Sequence, residues 1–556
     1  MKKFFLLFCL FLCFLPVPSH GSQDFYDSQL NKGIRNSDVY SYLLIQQAHE
    51  NRTERIRLLE EAKRFSPDLP AAYFELSKAN LSFKPIGMFE TIDYMLQGIL
   101  AYQKNFWWSF MLATSLFMSI TLSFVIAFML IIIIRIPQEV SFLSHDILES
   151  KSRLFLLFIL IFSVFGPLYL MGGILIVFSV YMKKWDKIVV YLFVTFLLLT
   201  PWLFHMFAKS LNAPTSHTLK AVVQVNESRG NEYALSVLAD STDTVERFSY
   251  ALALKRAGRY REAIHIYERL LAIRPDSRVY NNLANCYVAL TDLEKAKDLY
   301  KESINIKPMP TSLYNLSQIY RATLEFVKGE EYFLAAQKLD RDVVWGYREI
   351  YSTHPNRLVI DVGLSIGILW KYFFRNVEGV FPITYTILPS VFWSVIALVM
   401  GALLYLANRF YRHNAYRCNR CGAILCSKCE KRLLWGNMCL PCYRSLVKLD
   451  ELDSRERITR ILAVYEYRKK RRDILKILSY VVPGSAQIYA GDILYGFLLL
   501  WPFLFLLFLP IMNFVFSMMS PGFSHIWINI LSLFLLFILY FASNIMTRRR
   551  LAKGWL

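Results

Sequence analysis

Six of the nine cysteines lie close together in the sequence and form three C-x2-C pairs. A C-x2-C pair places two thiolates on one side of a tight turn, and two such pairs can complete a tetrahedral Zn²⁺ site. A disulfide scaffold is excluded because it spreads its cysteines through a small secreted domain. The spacing therefore indicates metal binding. The pairs are Cys418 with Cys421, Cys426 with Cys429, and Cys439 with Cys442.

Six thiols do not divide evenly into sites of four ligands. The middle pair forms a second, incomplete site or replaces one of the outer pairs. A redox-active or disulfide-bonded pair and an iron–sulfur cluster are the alternatives to zinc. The order of knuckle, short strands and a helix carrying the last pair resembles treble-clef and ribbon-type zinc fingers. Four cysteines leave no open coordination position, so we predict one structural zinc, bound by Cys418, Cys421, Cys439 and Cys442.

The cysteine-rich segment is strongly basic. Residues 409–476 contain 18 Lys or Arg and 7 Asp or Glu, in a chain whose formal net charge is +20. The C-terminal tail adds Arg548, Arg549, Arg550 and Lys553. Positive charge beside membrane spans marks the cytoplasmic side, and the reducing cytoplasm keeps thiols free for metal. We therefore expect the finger and the C-terminus to be cytoplasmic.

A helical stripe of apolar residues between Leu449 and Tyr465 ends in a run of five basic residues. Nucleic acid is one partner for such a run. Because the run comes directly before a membrane span, anionic lipid head groups are the better supported partner, at roughly 1 kcal/mol per basic residue. We therefore expect lipid and no nucleic acid at this site. The run is Arg468, Lys469, Lys470, Arg471 and Arg472.

The rest of the chain is apolar enough to fill a membrane. Of the 556 residues, 55% are hydrophobic and only 19% are charged, which excludes a single soluble domain and bulk disorder. Two lysines, a short apolar run and small residues before Gly21 predict a signal peptide, with an uncleaved anchor as the alternative. The stretches of spanning length are Trp107–Ile134, Leu154–Met182, Ile188–Phe207, Phe381–Leu406, Phe497–Phe516 and Ile526–Ile545.

Between the third and fourth stretches, small residues recur every 33 positions at Ala251, Ala284 and Ser317. Large side chains flank them in the same register, and Pro275 and Pro308 repeat with the same spacing. The pattern resembles the tetratricopeptide repeat (TPR), a helix-turn-helix unit of about 34 residues. The resemblance implies a stacked array whose concave face, within 244–343, binds peptides or protein partners. A helical array that only holds other parts apart is the alternative.

A motif running from Pro483 to Gly491, followed by Gly496, opens the last pair of apolar stretches. It resembles the entry motif of short bacterial two-helix membrane modules. The whole order of segments resembles bacterial TPR integral membrane proteins with a C-terminal cysteine-rich zinc finger and a two-helix membrane hairpin. The resemblance implies a multi-pass protein of the bacterial inner membrane.

The number of crossings in 154–208 decides the topology. If every long stretch crosses once, the array is cytoplasmic and the basic finger lies outside, which contradicts its charge. Leu154–Met182 is interrupted at Gly166-Pro167 and at Gly172-Gly173, so it is a kinked span or a re-entrant hairpin. We favour the re-entrant hairpin, which makes the array periplasmic and the finger cytoplasmic.

Together these features predict a mainly α fold: a polytopic helical membrane protein with a TPR array and a small zinc-finger insert. Residues Gly363 to Gly367 match G-x-S-x-G but follow no strand, so we expect no nucleophile elbow, no enzyme and no small-molecule substrate. We expect a membrane scaffold or adaptor that binds proteins. The alternative is a transmembrane sensor or regulator whose finger binds nucleic acid or responds to metal or redox state.

The predicted segments follow one another along the chain. They are a signal peptide (1–21), an exported helical segment with a weak repeat (22–106), membrane helices (107–208), the TPR array (209–378, with repeats at about 244–277, 278–310 and 311–343), a membrane helix (379–408), the finger (409–445), a basic amphipathic helix (446–480), and the membrane hairpin with its basic tail (481–556).

Overall fold

The computed structural model describes residues 19–81, 85–149, 161–350, 352–379, 390–410, 415–426, 438–446, 454–519 and 525–553. Residues 1–18 of the predicted signal peptide and Cys429 lie outside these ranges. The described chain is almost entirely helical, as predicted. It forms two compact units. The repeat unit contains residues up to Phe110 and Lys209–Glu378, and the membrane unit contains Met111–Ala208 and Gly379–Leu556.

The first third of the chain supplies helical hairpins to the repeat unit and then the first helices of the membrane unit. The weak repeat expected near residue 58 is part of two hairpins, in which α2 pairs with α3 and α4 pairs with α5. The helices are Ser19–Asn31 (α1), Asp38–Glu50 (α2), Arg55–Phe65 (α3), Pro70–Ala79 (α4), Pro85–Ala101 (α5), Phe106–Glu149 (α6), Pro167–Ser179 (α7) and Lys187–Asn212 (α8).

The middle of the chain forms the array. Repeat one is α11 with α12, repeat two is α13 with α14, and repeat three is α15 with α16. The helices are His217–Asn226 (α9), Glu232–Val237 (α10), Thr244–Arg256 (α11), Tyr260–Ile273 (α12), Ser277–Ala289 (α13), Leu293–Ile306 (α14), Pro310–Ala322 (α15), Phe326–Leu339 (α16), Arg341–Glu349 (α17), Pro355–Leu358 (α18) and Ile366–Asn376 (α19).

The repeat register explains how these helices pack. Ala251, Ala284 and Ser317 are fully buried in the first helices, where small side chains let the paired helices approach. A Cβ added to Gly329 in the second helix of repeat three would lie 3.2 Å from the Ser317 carbonyl oxygen. The first helices also begin in register: the Asp243 and Asp276 side chains accept backbone N–H groups as N-caps, which favours helix initiation there.

The three repeat turns share one backbone conformation. Gly258, Thr291 and Leu324 occupy equivalent positions and have φ of 82°, 64° and 63°. Glycine adopts this left-handed conformation without cost, whereas a residue with a Cβ is strained there by roughly 1–2 kcal/mol. Repeats two and three therefore keep the turn of repeat one without its glycine.

The N-terminal hairpins pack on the array, a contact that no sequence pattern predicts. The Asn36 side chain donates to the Glu227 carbonyl oxygen at 2.8 Å and to the Asp68 carboxylate at 3.0 Å. The Asn356 side chain donates to the Asn31 carbonyl oxygen at 2.8 Å. Residues before and after the first membrane helices therefore belong to one folded body.

The C-terminal part contains the remaining membrane helices and the finger. In the described residues, five helical segments are long and apolar enough to span a membrane. They are Phe106–Leu143, Lys187–Thr215, Phe392–Phe410, Ile493–Ser517 and Ile526–Ala552. The elements are Ser390–Phe410 (α20), Ala415–Arg417 (β1), Ile424–Cys426 (β2), Leu440–Leu446 (α21), Ser454–Val481 (α22), Ser485–Ala490 (α23), Ile493–Met519 (α24) and Ile526–Ala552 (α25).

The stretch predicted to be kinked or re-entrant is interrupted at Gly166, where φ is 100°. The helix that follows, α7, has 13 residues and is about 20 Å long, which is shorter than a bilayer core of about 30 Å. The rings of Phe142 and Tyr181 stack with centroids 5.5 Å apart. Phe142 and Tyr181 therefore lie at the same end of the membrane unit, and residues 150–160 between them lie outside the described part of the chain. The re-entrant hairpin stays a prediction.

Several polar contacts gather at that same end of the membrane unit. The Gln138 side chain donates to the Tyr489 carbonyl oxygen at 2.9 Å, and the Leu494 N–H donates to Asp186 at 2.8 Å. The Arg417 guanidinium, next to the finger, lies 5.3 Å from the Phe142 ring centroid. The hairpin entry motif, the 183–187 loop and the finger are therefore neighbours.

Glycines in the hairpin entry motif allow a close helix contact. A Cβ on Gly484 would lie 2.2 Å from the Gly496 carbonyl oxygen, and Gly484 has φ of 83°. Gln487 is buried and donates to Thr547 on α25 at 2.7 Å. Its side chain therefore joins the entry motif to α25 inside the membrane unit.

Candidate functional site

The candidate metal centre is built by the two-stranded sheet and the start of α21. Cys418 and Cys421 follow β1 in the turn that leads to β2, and Gly422 completes this turn with φ of 76°. The Gly422 N–H donates to the Cys418 carbonyl oxygen at 3.0 Å. Cys439 and Cys442 lie at the N-terminus of α21. The turn at Gly422 positions the first outer cysteine pair, and the start of α21 positions the second.

The four predicted ligands converge. The sulfur atoms of Cys418, Cys421, Cys439 and Cys442 all lie within 4.8 Å of one another, and none is in a disulfide. Cys421 Sγ and Cys439 Sγ are 3.7 Å apart. A tetrahedral site with Zn–S bonds of about 2.3 Å separates its sulfur atoms by about 3.8 Å. The four cysteines can therefore hold a metal ion.

Backbone N–H donors favour the anionic form of one of these sulfur atoms, that of Cys418. Burial raises the pKa of the Cys418 thiol, but N–H groups of Cys421, Cys439 and Arg420 outweigh it and lower the pKa to about 7. Burial raises the pKa of Cys439 to about 11, and its neighbour Cys418 adds to this shift. A cation among the sulfur atoms favours deprotonation of all four thiols.

The middle cysteine pair has a different place. Cys426 ends β2, opposite Ala415 in the antiparallel register, and its side chain and all of Cys429 lie outside the described part of the chain. The prediction that this pair forms a second site or replaces an outer pair stays a prediction.

The basic amphipathic helix α22 rests on the metal centre. Val464 is buried in one cluster with Cys418, Cys439 and Cys442, and the Tyr467 ring covers Gly422. The apolar residues Ile458, Ile461, Leu462 and Tyr465 remain exposed on the helix. They precede the basic run at 468–472, so the helix presents an apolar patch and positive charge together.

The groove of the array, predicted to bind partners, holds a segment of this same chain. Residues Val359–Leu364, which we call the strap, have no regular secondary structure and lie against the first helices of the repeats. Val359 is fully buried and packs with Ala284, Leu316 and Ile319. The expected open binding face is therefore occupied in this structure.

Asparagine side chains bind the strap through its main chain. Asn315 donates to the Ile360 carbonyl oxygen at 2.8 Å and accepts the Ile360 N–H at 2.8 Å. Asn282 makes the same pair of bonds with Val362, both at 2.9 Å. Asn226 accepts the Leu364 N–H at 2.8 Å. Alternate strap residues are thus bound by asparagines of three different helices, α15, α13 and α9.

A buried charge cluster fixes the centre of the strap. The Asp361 carboxylate lies 2.8 Å from Lys255 Nζ and 3.0 Å from Arg256 Nε, and it accepts from Asn285 at 2.8 Å. Its side chain is 6% exposed. Burial alone would raise the pKa of Asp361, but the charges of Lys255 and Arg256 outweigh it and hold the pKa below its usual value.

The repeat register of the sequence contains a signal for this groove. Asn282 and Asn315 are 33 residues apart, one position before Leu283 and Leu316 in the repeat register. A polar residue that repeats within a buried helix face needs hydrogen-bond partners. The repeat spacing could therefore have identified both asparagines, but it could not have shown that the strap is their ligand.

Comparison with known proteins supports the array. Residues 242–309 match the family model described as tetratricopeptide repeat. The chain contains tetratricopeptide repeats. Over 70 residues it is also 36% identical to the mitochondrial import receptor subunit TOM70 of Saccharomyces cerevisiae, in strains YJM789 and ATCC 204508 / S288c. That match covers 11% of this chain and 11% of the yeast protein, so the chain spans only a small part of that relative's length.

Proposed function

We propose that this chain is a multi-pass scaffold or adaptor of the bacterial inner membrane whose repeat unit binds protein partners. The observation that carries the proposal is the groove, where amide side chains in successive helices bind the main chain of an extended segment. The similarity to a region of an import receptor subunit supports a receptor or adaptor role for the array. Nothing in this role requires catalysis, and Ser365 of the G-x-S-x-G match lies at the N-terminus of α19.

Chain topology supports a periplasmic repeat unit. The N-terminal hairpins and the array form one body, so the chain between them crosses the membrane an even number of times. Two long helices and a re-entrant hairpin satisfy this requirement. One further crossing by α20 then brings the basic finger to the cytoplasmic side, in agreement with its charge.

The finger, in this proposal, binds a structural zinc at the cytoplasmic end. Cys418, Cys421, Cys439 and Cys442 would be its ligands, and the ion would fix the sheet, α21 and the packed face of α22. The basic run at 468–472 would then be held near anionic lipid head groups.

Partner binding can be tested by photo-crosslinking in native membranes. A crosslinking amino acid at Arg321 or Arg348, which line a pocket of the array, should capture the same identified protein from both positions. Ile458 on the exposed face of α22 is the matched control and should not capture that protein. Equal capture from all three positions, or capture from none, would contradict the scaffold proposal.

A further inference from the structure

The contacts in the groove specify the chemistry of the segment that binds there. We propose that the groove recognises an extended segment with a buried β-branched residue and, two positions later, an acidic residue. The strap Val359–Leu364 is then its built-in occupant, and a partner segment of the same chemistry displaces the strap. This inference rests on the proposed function and names the class of partner.

Main-chain recognition sets the conformation of the ligand. Asn282 and Asn315 each bind both the N–H and the carbonyl of one strap residue. Alternate residues of an extended chain present these groups in the same direction. Any extended segment can satisfy the asparagines, so their contacts select an extended backbone and not a particular side chain.

Two strap side chains supply the selectivity. Val359 fills an apolar site between the first helices of repeats two and three. Asp361 meets Lys255 and Arg256, which are almost fully buried. An empty groove would leave both cations without a carboxylate, and buried charges without partners are costly. A partner segment must therefore bring its own acidic residue to this position.

Few apolar contacts anchor the strap. Val359 and Leu364 are its buried apolar residues, and the other strap side chains keep partial exposure or are polar. A cavity of about 420 Å³ lies beside Leu358, directly before the strap. Its cationic and aromatic lining extends the groove for a longer acidic ligand. The lining includes Tyr314, Gln318, Arg321, Phe333 and Arg348.

The strap has an advantage over any partner because it is part of the same chain. A tethered segment acts at an effective concentration of the order of mM, so a free peptide of equal intrinsic affinity competes poorly. The apparent affinity for a partner falls with the fraction of molecules whose groove is open. The strap therefore inhibits partner binding until its own contacts are weakened or a longer ligand competes with it.

Gly363→Ala offers a way to weaken the strap without changing the groove residues. A Cβ on Gly363 would lie 2.6 Å from the Asn226 carbonyl oxygen, so the strap must shift. Gly367→Ala is the matched control, because no atom lies within 4 Å of the added Cβ. The probe is a fluorescent peptide with blocked ends that carries the sequence of residues 357–365, and binding to the full chain in nanodiscs is measured by anisotropy.

We expect Gly363→Ala to bind the peptide at least tenfold more tightly than the wild type, and Gly367→Ala to behave like the wild type. A peptide with lysine in place of the aspartate should not bind Gly363→Ala. Adding Asn282→Ala and Asn315→Ala should abolish the gain. Equal binding by Gly363→Ala and the wild type, with both folded by circular dichroism, would overturn the inference.

Hydrogen exchange of the wild type gives a second test that needs no variant. If the strap opens by itself, the amides of Ile360, Val362 and Leu364 should exchange at least tenfold faster than those in the middle of α13 and α15. Exchange of strap and helix amides at one common rate would mean that the strap leaves only when the array unfolds, and would refute displacement. Crosslinking at Arg321 and Arg348 tests partner binding separately, so a scaffold with a permanent strap would remain distinguishable.

Discussion

The candidate metal centre depends on individual cysteines. Each C-x2-C spacing brings the two sulfur atoms of one pair close together. The sequence identified all four converging cysteines, since a knuckle is a local feature. It could not assign the middle pair, because the partner of a thiol depends on how distant segments fold. The contact between Asp361 and Lys255 could not be predicted for the same reason, because more than a hundred residues separate them along the chain.

Replacing one converging cysteine should remove the metal. Cys439→Ser should lower zinc, measured by mass spectrometry of the purified full chain, from about one equivalent to near zero, because three thiolates do not close a structural site. Hydrogen exchange in α22 around Val464 should then increase. The double variant Cys426→Ser, Cys429→Ser is the control and should retain the metal. Loss of zinc from that control would mean that the middle cysteine pair supplies metal ligands.

Asp361 stabilises the repeat unit through two buried cations. Asp361→Asn leaves Lys255 and Arg256 without a counter-charge, which should cost about 3 kcal/mol and lower the midpoint of thermal unfolding. Glu262→Gln is the control, since Glu262 pairs with Arg259 at the exposed surface, and its midpoint should match the wild type. Similar midpoints for both variants would mean that the buried cluster contributes nothing.

The same carboxylate gives a pH dependence with a defined sign. The pKa of Asp361 is lowered in the folded protein, so its contribution is present above the unfolded-state value of about 3.9 and is lost as pH falls through the lower folded value. The unfolding midpoint of the wild type should therefore exceed that of Asp361→Asn from pH 5 to pH 8, and the difference should disappear in stronger acid. A difference in midpoint that vanishes near pH 6, measured by thermal unfolding, would contradict this assignment.

Helix pairs are the elements that the sequence predicts best. The 33-residue register identified the array because small and large residues alternate along every helix face, and each repeat obeys the same local rule. The turns of repeats two and three are harder to predict from sequence, since they lack the glycine that signals a left-handed residue. Equivalent packing on both sides of each turn forces Thr291 and Leu324 into that conformation, which is a tertiary effect.

Relieving these turns should stabilise the array. Leu324→Gly removes the strain of a Cβ at φ of 63° but adds backbone entropy to the unfolded chain. Because Leu324 is mostly exposed, little packing is lost, and we expect a net gain of about 0.5–1 kcal/mol, seen as a rise of about 2 °C in the unfolding midpoint. Leu290→Gly, at a turn residue with negative φ, should lower the midpoint instead. A fall for both variants would refute turn strain.

On the scale of the whole molecule, the contact between the N-terminal hairpins and the array supports the proposed topology. Hydropathy counts crossings but cannot separate a kinked span from a re-entrant hairpin, because both are apolar runs with glycine and proline. Packing of the N-terminal hairpins on the array supports the re-entrant hairpin of the proposed topology. Because both ends of the 107–208 segment join one folded body, we expect an even number of crossings in that segment.

Single cysteines at exposed positions can test this topology. Val39 and Val327 lie on the N-terminal hairpins and the array, and Ile458 lies on α22. In intact cells, a membrane-impermeant thiol reagent should label Val39→Cys and Val327→Cys, whereas Ile458→Cys should be labelled only after permeabilisation. If the first two are both protected and Ile458→Cys is labelled, the body is intact but its orientation is reversed. If Val39→Cys and Val327→Cys differ from each other, the shared body itself is wrong, because one folded unit cannot lie on both sides of a membrane.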